Sequence, residues 1–380
     1  MIYRGEIAMS RKNVGISGAT TKMRQAIGER VLWAIDYGIY DANTKRVVLT
    51  GWLLDTRHLK SRGTGLAFRI GDFVWPTHEF SRFPRDDTFR IFSFLDSEVE
   101  PLDHQMGFAA DFVLPDLIGG RNRLMIEIID LSSRLPVLNT EKAFVSCSEK
   151  YPVPDEGARY RVHGTRGADY FLRHGLSLSA QILERQTQYR GVGLNNAAVL
   201  DWGCGSGRVA RYLADACGEY IGIDIDKENV DWCAANLPGK YFHIDLKPPT
   251  VLHDESFDLI FGISVFTHLS ETSQFEWLME LSRLAKPGAL VMVTVLGSIA
   301  ACRTGSFEIF EKLRLSSGYM DLGSDPILNG YVPAEYYRTA LHTKEYVQSQ
   351  WGKYFQVVEI VEGAVGGGHQ DLVVLRKPVR

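Results

Sequence analysis

Cysteine is scarce and poorly placed for cross-linking. Cys147, Cys204, Cys217, Cys233 and Cys302 are odd in number, widely spaced and without a C-x-x-C pair. That fits neither a disulfide framework nor a zinc site, so free thiols and no bound metal are expected. Long apolar runs are missing too. The longest, Ala289–Leu296, is far short of the roughly 20 residues of a membrane-spanning helix, and Met1–Arg24 lacks the apolar stretch of a secretory leader. A cytoplasmic protein is expected. Nor is there an excess of either charge: 42 Lys and Arg stand against 46 Asp and Glu, a formal net charge of −4. Without a basic excess there is no warrant for wrapping a nucleic-acid backbone. What is present is ample core material, 45% hydrophobic over 380 residues. Single cores stop growing at roughly 250–300 residues, so two domains are expected.

Residues 1–30 are polar and read as a mobile tail or a single loose helix. From Val31 to Val145 short apolar runs alternate with turn residues: Val47–Leu54, Gly65–Ile70, Phe73–Trp75, Phe108–Leu114 and Leu124–Ile129. That spacing predicts a small all-β sandwich over 31–148. Pro152 and Pro154 mark a linker. After a helix around Leu176–Gln188, strands and helices alternate over 155–380, the pattern of a doubly wound α/β sheet. Strands are expected at Ala198–Asp201, Tyr220–Asp224, Tyr241–Ile244, Phe257–Ile263 and Ala289–Leu296. Val209, Tyr212, Leu213 and Ala216 predict one helix, Glu228–Leu237 a second, and a Ser273/Glu276 capping box opens a third that stops at Lys286-Pro287-Gly288. The alternation lapses over 297–346, an insertion or lid. Phe355–Val361 and Asp371–Leu375 then flank a glycine turn as an antiparallel C-terminal hairpin.

The sharpest motif is Asp201-Trp202-Gly203-Cys204-Gly205-Ser206-Gly207, an acid at a strand end followed by three glycines at alternate positions before a helix. Glycine lets the backbone turn tightly and approach a ligand closely, and a helix start offers unpaired N–H groups. The next strand ends in Asp224, about 20 residues beyond the first glycine, the separation at which an acid grips ribose hydroxyls. Asp224 is either that acid or a helix cap, a role also open to Asp226. A dinucleotide fingerprint needs G-x-G-x-x-G, whereas Arg208 stands in its sixth place, so NAD is disfavoured.

From Asp201 to Gly207 the chain resembles the class I S-adenosylmethionine-dependent methyltransferases. The resemblance runs over roughly Tyr160–Lys377 and includes Asp224, Asp245, Phe257-Asp258-Leu259-Ile260 and Lys286-Pro287-Gly288. It implies a Rossmann-like sheet and S-adenosylmethionine as cofactor. It also implies that Gly203, Gly205 and Gly207 flank the methionyl part, Asp201 sits near its amino group and Asp224 holds the ribose. Asp245 either reaches the adenine amine or is a turn acid before Lys247-Pro248-Pro249. Cys204, Ile225 and Ser264, on the same segments, complete the expected cofactor contacts. More narrowly, Val230-Asp231-Trp232-Cys233 and Ser264-Val265-Phe266-Thr267-His268-Leu269 are similar to a bacterial subgroup linked to surface-polysaccharide or glycan pathways. Gly51-Trp52, Arg82-Phe83-Pro84-Arg85-Asp86 and Gly107-Phe108 are loosely similar to β-sandwich modules that accompany glycosyltransferases.

Methyl transfer is an in-line displacement that needs little beyond proximity and orientation. A hydroxyl acceptor is helped by a base, and His268, after the fourth strand, is the first candidate, with packing of the next helix as its other reading. His163, His342 and His369 are further candidates. Tyr331, Tyr336, Tyr337, Phe307 and Phe310 either line an acceptor pocket or pack a lid. The function expected is methyl transfer to a hydroxyl of a sugar or glycan-like acceptor. The alternatives are another small molecule methylated on oxygen or nitrogen, an NAD-dependent dehydrogenase or epimerase, and a non-catalytic glycan-binding protein.

Overall fold

The computed structural model describes residues 16–379 except 60–62, 97–100, 116–122, 138–139, 147–148, 305 and 334. Cys147 and the first fifteen residues of the expected tail therefore lie outside the described residues. The rest of that segment follows the helical reading. It forms helix α1 (Ile16–Ile27), whose Met23 and Ile27 are buried against Ile299, Ala301 and Phe310. A few apolar side chains on one face suffice to dock a helix whose composition is otherwise polar.

The alternating runs form β1 (Val31–Asp41), β2 (Arg46–Asp55), β3 (Leu66–Ile70), β4 (Phe73–Pro76) and β5 (Ser81–Phe83). Helix α2 (Asp86–Phe92) interrupts them before β6 (Gly107–Val113), β7 (Arg123–Asp130) and β8 (Ala143–Ser146). Two four-stranded antiparallel sheets result, ordered β1-β2-β6-β5 and β4-β3-β7-β8. Trp33, Leu49 and Phe108 from the first share one core with Phe68, Ile126 and Ile128 from the second. The long β1 has no counterpart among the runs read from the sequence. It carries exposed Tyr37 and Ile39 beside buried Trp33 and Ile35, and a register shift between Ile35 and Tyr37 breaks its alternation.

Helices α3 (Glu156–His163) and α4 (Ala168–Arg190) follow, and α4 packs on β1 and β8, with Arg173 Nη2 donating to the Ile35 carbonyl (2.9 Å). The remaining chain runs β9 (Ala198–Trp202), α5 (Ala210–Leu213), β10 (Glu219–Asp224), α6 (Lys227–Asn236), β11 (Lys240–His243), β12 (Phe257–Gly262), α7 (Glu271–Leu284) and β13 (Ala285–Val295). Beyond it come α8 (Ser298–Arg303), α9 (Phe307–Leu315), β14 (Tyr319–Ser324), β15 (Arg338–His342), α10 (Lys344–Gln350), β16 (Gln356–Val365) and β17 (Gln370–Arg376).

Seven of these strands form one mixed sheet ordered β11-β10-β9-β12-β13-β17-β16. Its first five strands are parallel, and β17 runs antiparallel to both β13 and β16. Val199, Leu200, Leu259, Ile260 and Phe261 are fully buried, as strands covered on both faces must be. The strand order reverses at β9, between β10 and β12, so the crevice for a ligand opens at the C-terminal ends of those three strands.

Several local expectations differ from the structure. The helix expected through Ala216 is α-helical only to Leu213 and then tightens into a 3₁₀ turn over Ala214–Ala216. The cap of α7 is Ser270 rather than Ser273: Ser270 accepts the Ser273 N–H (3.3 Å), starting the helix earlier. Lys286-Pro287-Gly288 lies inside β13, where Lys286 pairs with Asp258 (2.6 Å) and Gly288 N–H donates to the Lys377 carbonyl (2.9 Å). The 297–346 stretch is also more ordered than its composition suggests. It supplies α8, α9 and the β14–β15 pair, which bury Ile299, Cys302, Phe310 and Leu313 with α1.

Candidate functional site

Beyond β9 the backbone is tied to its neighbour. Gly203 and Cys204 N–H both donate to the Ile223 carbonyl (2.8 and 3.1 Å), and Gly205 N–H donates to Asp224 Oδ2 (2.7 Å). Asp224 Oδ1 accepts the Asp226 N–H (2.8 Å), so one carboxylate holds both the glycine loop and the turn into α6. Gly203 sits at φ +76°, and a Cβ there would stand 2.4 Å from Val265. Position 203 is therefore glycine because a side chain there would clash.

A cavity with about 900 Å³ of empty space, its mouth included, opens over this corner. It brings together Asp201, Gly203, Cys204, Gly205, Asp224, Ile225, Ser264 and His268, residues drawn from the ends of β9, β10 and β12. Gly207 and Asp245 are not in its wall. Gly207 (φ +75°) instead lets α6 approach, since its Cβ would meet Leu237 at 2.1 Å. Asp245 is exposed, while Ile244 lines the cavity, because successive side chains of extended chain face opposite ways.

Among the other candidates, Tyr336 and Tyr337 line the cavity, and the Tyr336 hydroxyl donates to the Leu246 carbonyl (2.6 Å). Tyr331 stands outside it under the Arg161 guanidinium (4.3 Å), and Phe307 and Phe310 pack near α1. His342 is buried against Gln274 Oε1 (3.0 Å), a packing role. Asp226 caps α6 and pairs with Arg161 (2.6 Å), so its oxygens are engaged. Sequence reasoning missed the lining residues Arg161, Arg208, Ile244, Trp277 and Leu328. Arg208 carried a signal, as the non-glycine next to Gly207, but nothing local showed which way it points.

Burial pushes the Asp201 carboxyl up to about 7, with the Asp224 charge adding to it and the Tyr220 hydroxyl donating against it (2.6 Å). Burial also pushes Asp224 up to about 6, opposed by its backbone N–H donors. Neither acid is in a described ion pair, although the Arg208 guanidinium in the same wall acts on Asp201 and opposes its rise, and the floor of the cavity suits positive charge and hydroxyl donors. The Cys204 thiol is held protonated by its hydrogen bond with Cys233 and by burial. Ser264 adopts φ +63°, an uncommon conformation for a side-chain-bearing residue. Its N–H donates to Thr294 Oγ1 (2.7 Å) and its Oγ accepts from Gln370 (2.9 Å), which hold it there.

His268 Nδ1 lies 2.7 Å from the Arg338 carbonyl, 3.9 Å from Asp325, and its ring stacks on Tyr337 (3.9 Å between centroids). A carbonyl only accepts, so Nδ1 carries the proton and Nε2 is the basic nitrogen of the neutral ring. Burial lowers the ring's pKa, while Asp325 and the Arg338 carbonyl oppose that. On the other side, Arg208 Nη1 reaches His163 Nδ1 (2.9 Å) and His174 Nδ1 (3.2 Å). Arg208 Nε, His163 Nε2 and His174 Nε2 are buried without a partner, each at a cost of roughly 1–3 kcal/mol. No group of three His, Cys, Asp or Glu among the described residues is placed to hold a metal ion.

Residues 200–293 match the methyltransferase domain family. That match covers about a quarter of the chain. A Mycolicibacterium smegmatis protein named "Probable S-adenosylmethionine-dependent methyltransferase" is 31% identical over 100 residues, 25% of this chain and 37% of that one. The ubiquinone biosynthesis O-methyltransferase of Pelagibacter ubique is 27% identical over 106 residues, 27% of this chain and 43% of its own. The chain thus spans less than half the length of either relative. A solved S-adenosylmethionine-dependent methyltransferase from Clostridium acetobutylicum aligns at 13% identity over 53% of this chain and 90% of its own, with a TM-score of 0.38. The matched segment begins inside β9 and ends inside β13, so it contains the glycine loop, Asp224 and His268. No helix among the described residues is long and apolar enough to cross a membrane.

Proposed function

We propose that the protein is an S-adenosylmethionine-dependent methyltransferase acting on a hydroxyl of a sugar or glycan-like acceptor. The observation that carries this reading is one cavity that joins the glycine corner, two buried acids that are in no described ion pair, and His268. The residues fit the cofactor: Gly203 and Gly205 offer no side chain to obstruct it, Asp224 retains lone pairs for ribose hydroxyls, and Asp201 suits an ammonium group. A dinucleotide fingerprint needs a glycine in its sixth place, where Arg208 stands. When bound, the cofactor supplies a methyl group activated on a sulfonium. The protein's part is to align the acceptor oxygen with that carbon and, through His268 Nε2, to take the hydroxyl proton.

The oxygen acceptor draws support from His268 as a base and from a relative named as an O-methyltransferase. The sugar-like acceptor rests on the subgroup resemblance of Ser264–Leu269 and on Tyr336 and Tyr337 in the wall. We read 31–148 as a β-sandwich accessory domain, 155–380 as the catalytic domain, and the whole as cytoplasmic. Incubation of the full chain with S-adenosylmethionine and a crude glycan extract should release S-adenosylhomocysteine. Stabilisation by NAD and not by S-adenosylmethionine would overturn the assignment.

A further inference from the structure

The glycine turn between β16 and β17 leaves the mixed sheet and lies against the β-sandwich. Gly367 and Gly368 have φ of +63° and +85°, and a Cβ on the first would stand 3.0 Å from Trp52 and 3.3 Å from Ala34, on the second 2.7 Å from Leu32. Only glycine lets the turn sit this close to the paired strands β1 and β2. Hydrogen bonds pin its tip. Gly367 N–H donates to Glu141 Oε2 (3.1 Å), on the segment before β8, and Ser177 of α4 donates to the other oxygen of that carboxylate (2.9 Å). The Gly367 carbonyl accepts from Arg303 Nη1 of α8 (2.6 Å). Trp33 Nε1 in turn donates to the Glu141 carbonyl (2.9 Å), which fixes Glu141 to β1.

Beyond Gly367 the same chain soon meets the cavity wall. Gln370 Nε2 donates to Ser264 Oγ (2.9 Å), and among the described hydrogen bonds Gln370 is the sole partner of that hydroxyl. Thr294 holds only the Ser264 N–H. Ser264 lines the cavity at φ +63°, a conformation that persists only while its surroundings enforce it. Val265, the next residue, packs on the glycine corner, 2.4 Å from the position of a Cβ on Gly203. Contacts thus run without a break from the sandwich to the cavity, through Glu141, Gly367, Gln370, Ser264 and Val265.

Resting on the methyltransferase reading, we infer that the β-sandwich is a working part of the cofactor site, with Glu141 as a positioning residue: through the glycine turn and Gln370 it holds Ser264 and Val265 against the glycine corner. No described residue of 31–148 lines the cavity, so the sandwich acts on the cofactor at a distance. Adjacency alone does not establish coupling, whereas a double-mutant cycle measures it.

The test is calorimetric titration of S-adenosylhomocysteine into the full chain, with circular dichroism to confirm that each variant is folded. The parent comes first; if it does not bind, the methyltransferase reading fails and this inference falls with it. Glu141→Ala, which removes the acceptor of the Gly367 N–H, should weaken binding at least roughly threefold. Glu141→Gln, whose amide oxygen still accepts that N–H, should restore Kd to within about twofold of the parent. Gln370→Leu should weaken binding to a similar degree, and adding Glu141→Ala to it should change Kd by less than about twofold further. Gly367→Ala, whose methyl group pushes the turn off β1 and β2, takes the place of Glu141→Ala if that variant does not fold. Unchanged affinity in the folded variant beside normal binding by the parent overturns the inference alone. So do effects that multiply in the double variant, because Glu141 and Gln370 would then act separately.

Discussion

Replacing Asp224 by Ala separates ligand binding from folding. In the free protein two effects oppose each other. The native carboxyl is pushed up to about 6 from 3.8, so its contribution to stability is fully present below pH 3.8 and lost as pH rises through 6, about 3 kcal/mol in all. Removing it relieves that cost but orphans the N–H groups of Gly205 and Asp226, at roughly 1–3 kcal/mol each. The net change in the unliganded protein should fall between about 1 kcal/mol gained and about 3 kcal/mol lost. The ligand has no such compensation. Losing hydrogen bonds from ribose to a charged acceptor costs roughly 1.5–3 kcal/mol, or about 10–150-fold in Kd. At a ligand concentration 100 times the parent Kd, stabilisation by S-adenosylhomocysteine should drop from about 2.7 to roughly 0.3–1.4 kcal/mol. Calorimetric titration gives Kd and thermal melts with and without ligand give the stabilisation. Equal ligand stabilisation in parent and variant would refute the role of Asp224. Asp226 could not inherit it without giving up Arg161 and the α6 cap.

Other consequences follow from the same geometry. His268→Ala should lower turnover by about 10²–10⁴-fold with cofactor Kd unchanged, and equal turnover would return the ring to packing beside Tyr337. Cofactor affinity should weaken as pH falls through 7 and 6, because the forms of Asp201 and Asp224 that bind hydroxyls and ammonium are the ionised ones; a flat Kd between pH 7.5 and 5 would contradict this. Gly207→Ala should destabilise the fold by about 1–3 kcal/mol through its φ of +75° and the contact with Leu237, leaving Kd nearly unaltered in the folded fraction. A Kd change exceeding the stability loss would put Gly207 back at the ligand.

The sequence by itself determined the parallel strands, since Leu259–Phe261 and Ala289–Val295 are apolar runs that only a sheet covered on both faces can bury. It also determined the glycine corner and the acid one strand over, because both are local: a left-handed turn demands glycine, and a strand end has a definite place in the crevice. Tertiary structure decided everything that depends on which way a side chain faces after the backbone turns. Gly207 and Asp245 follow the motif yet face away from the cavity, whereas Ile244 and Arg208 belong to no ligand pattern and face into it. The same holds for α1, whose polar composition hides a face that packs only because α8 and α9 arrive from nearly three hundred residues later. Periodicity encodes where elements lie along the chain. The meeting of Arg208 with His163 and His174 depends instead on the packing of α3 and α4 against the glycine loop, which no local pattern records.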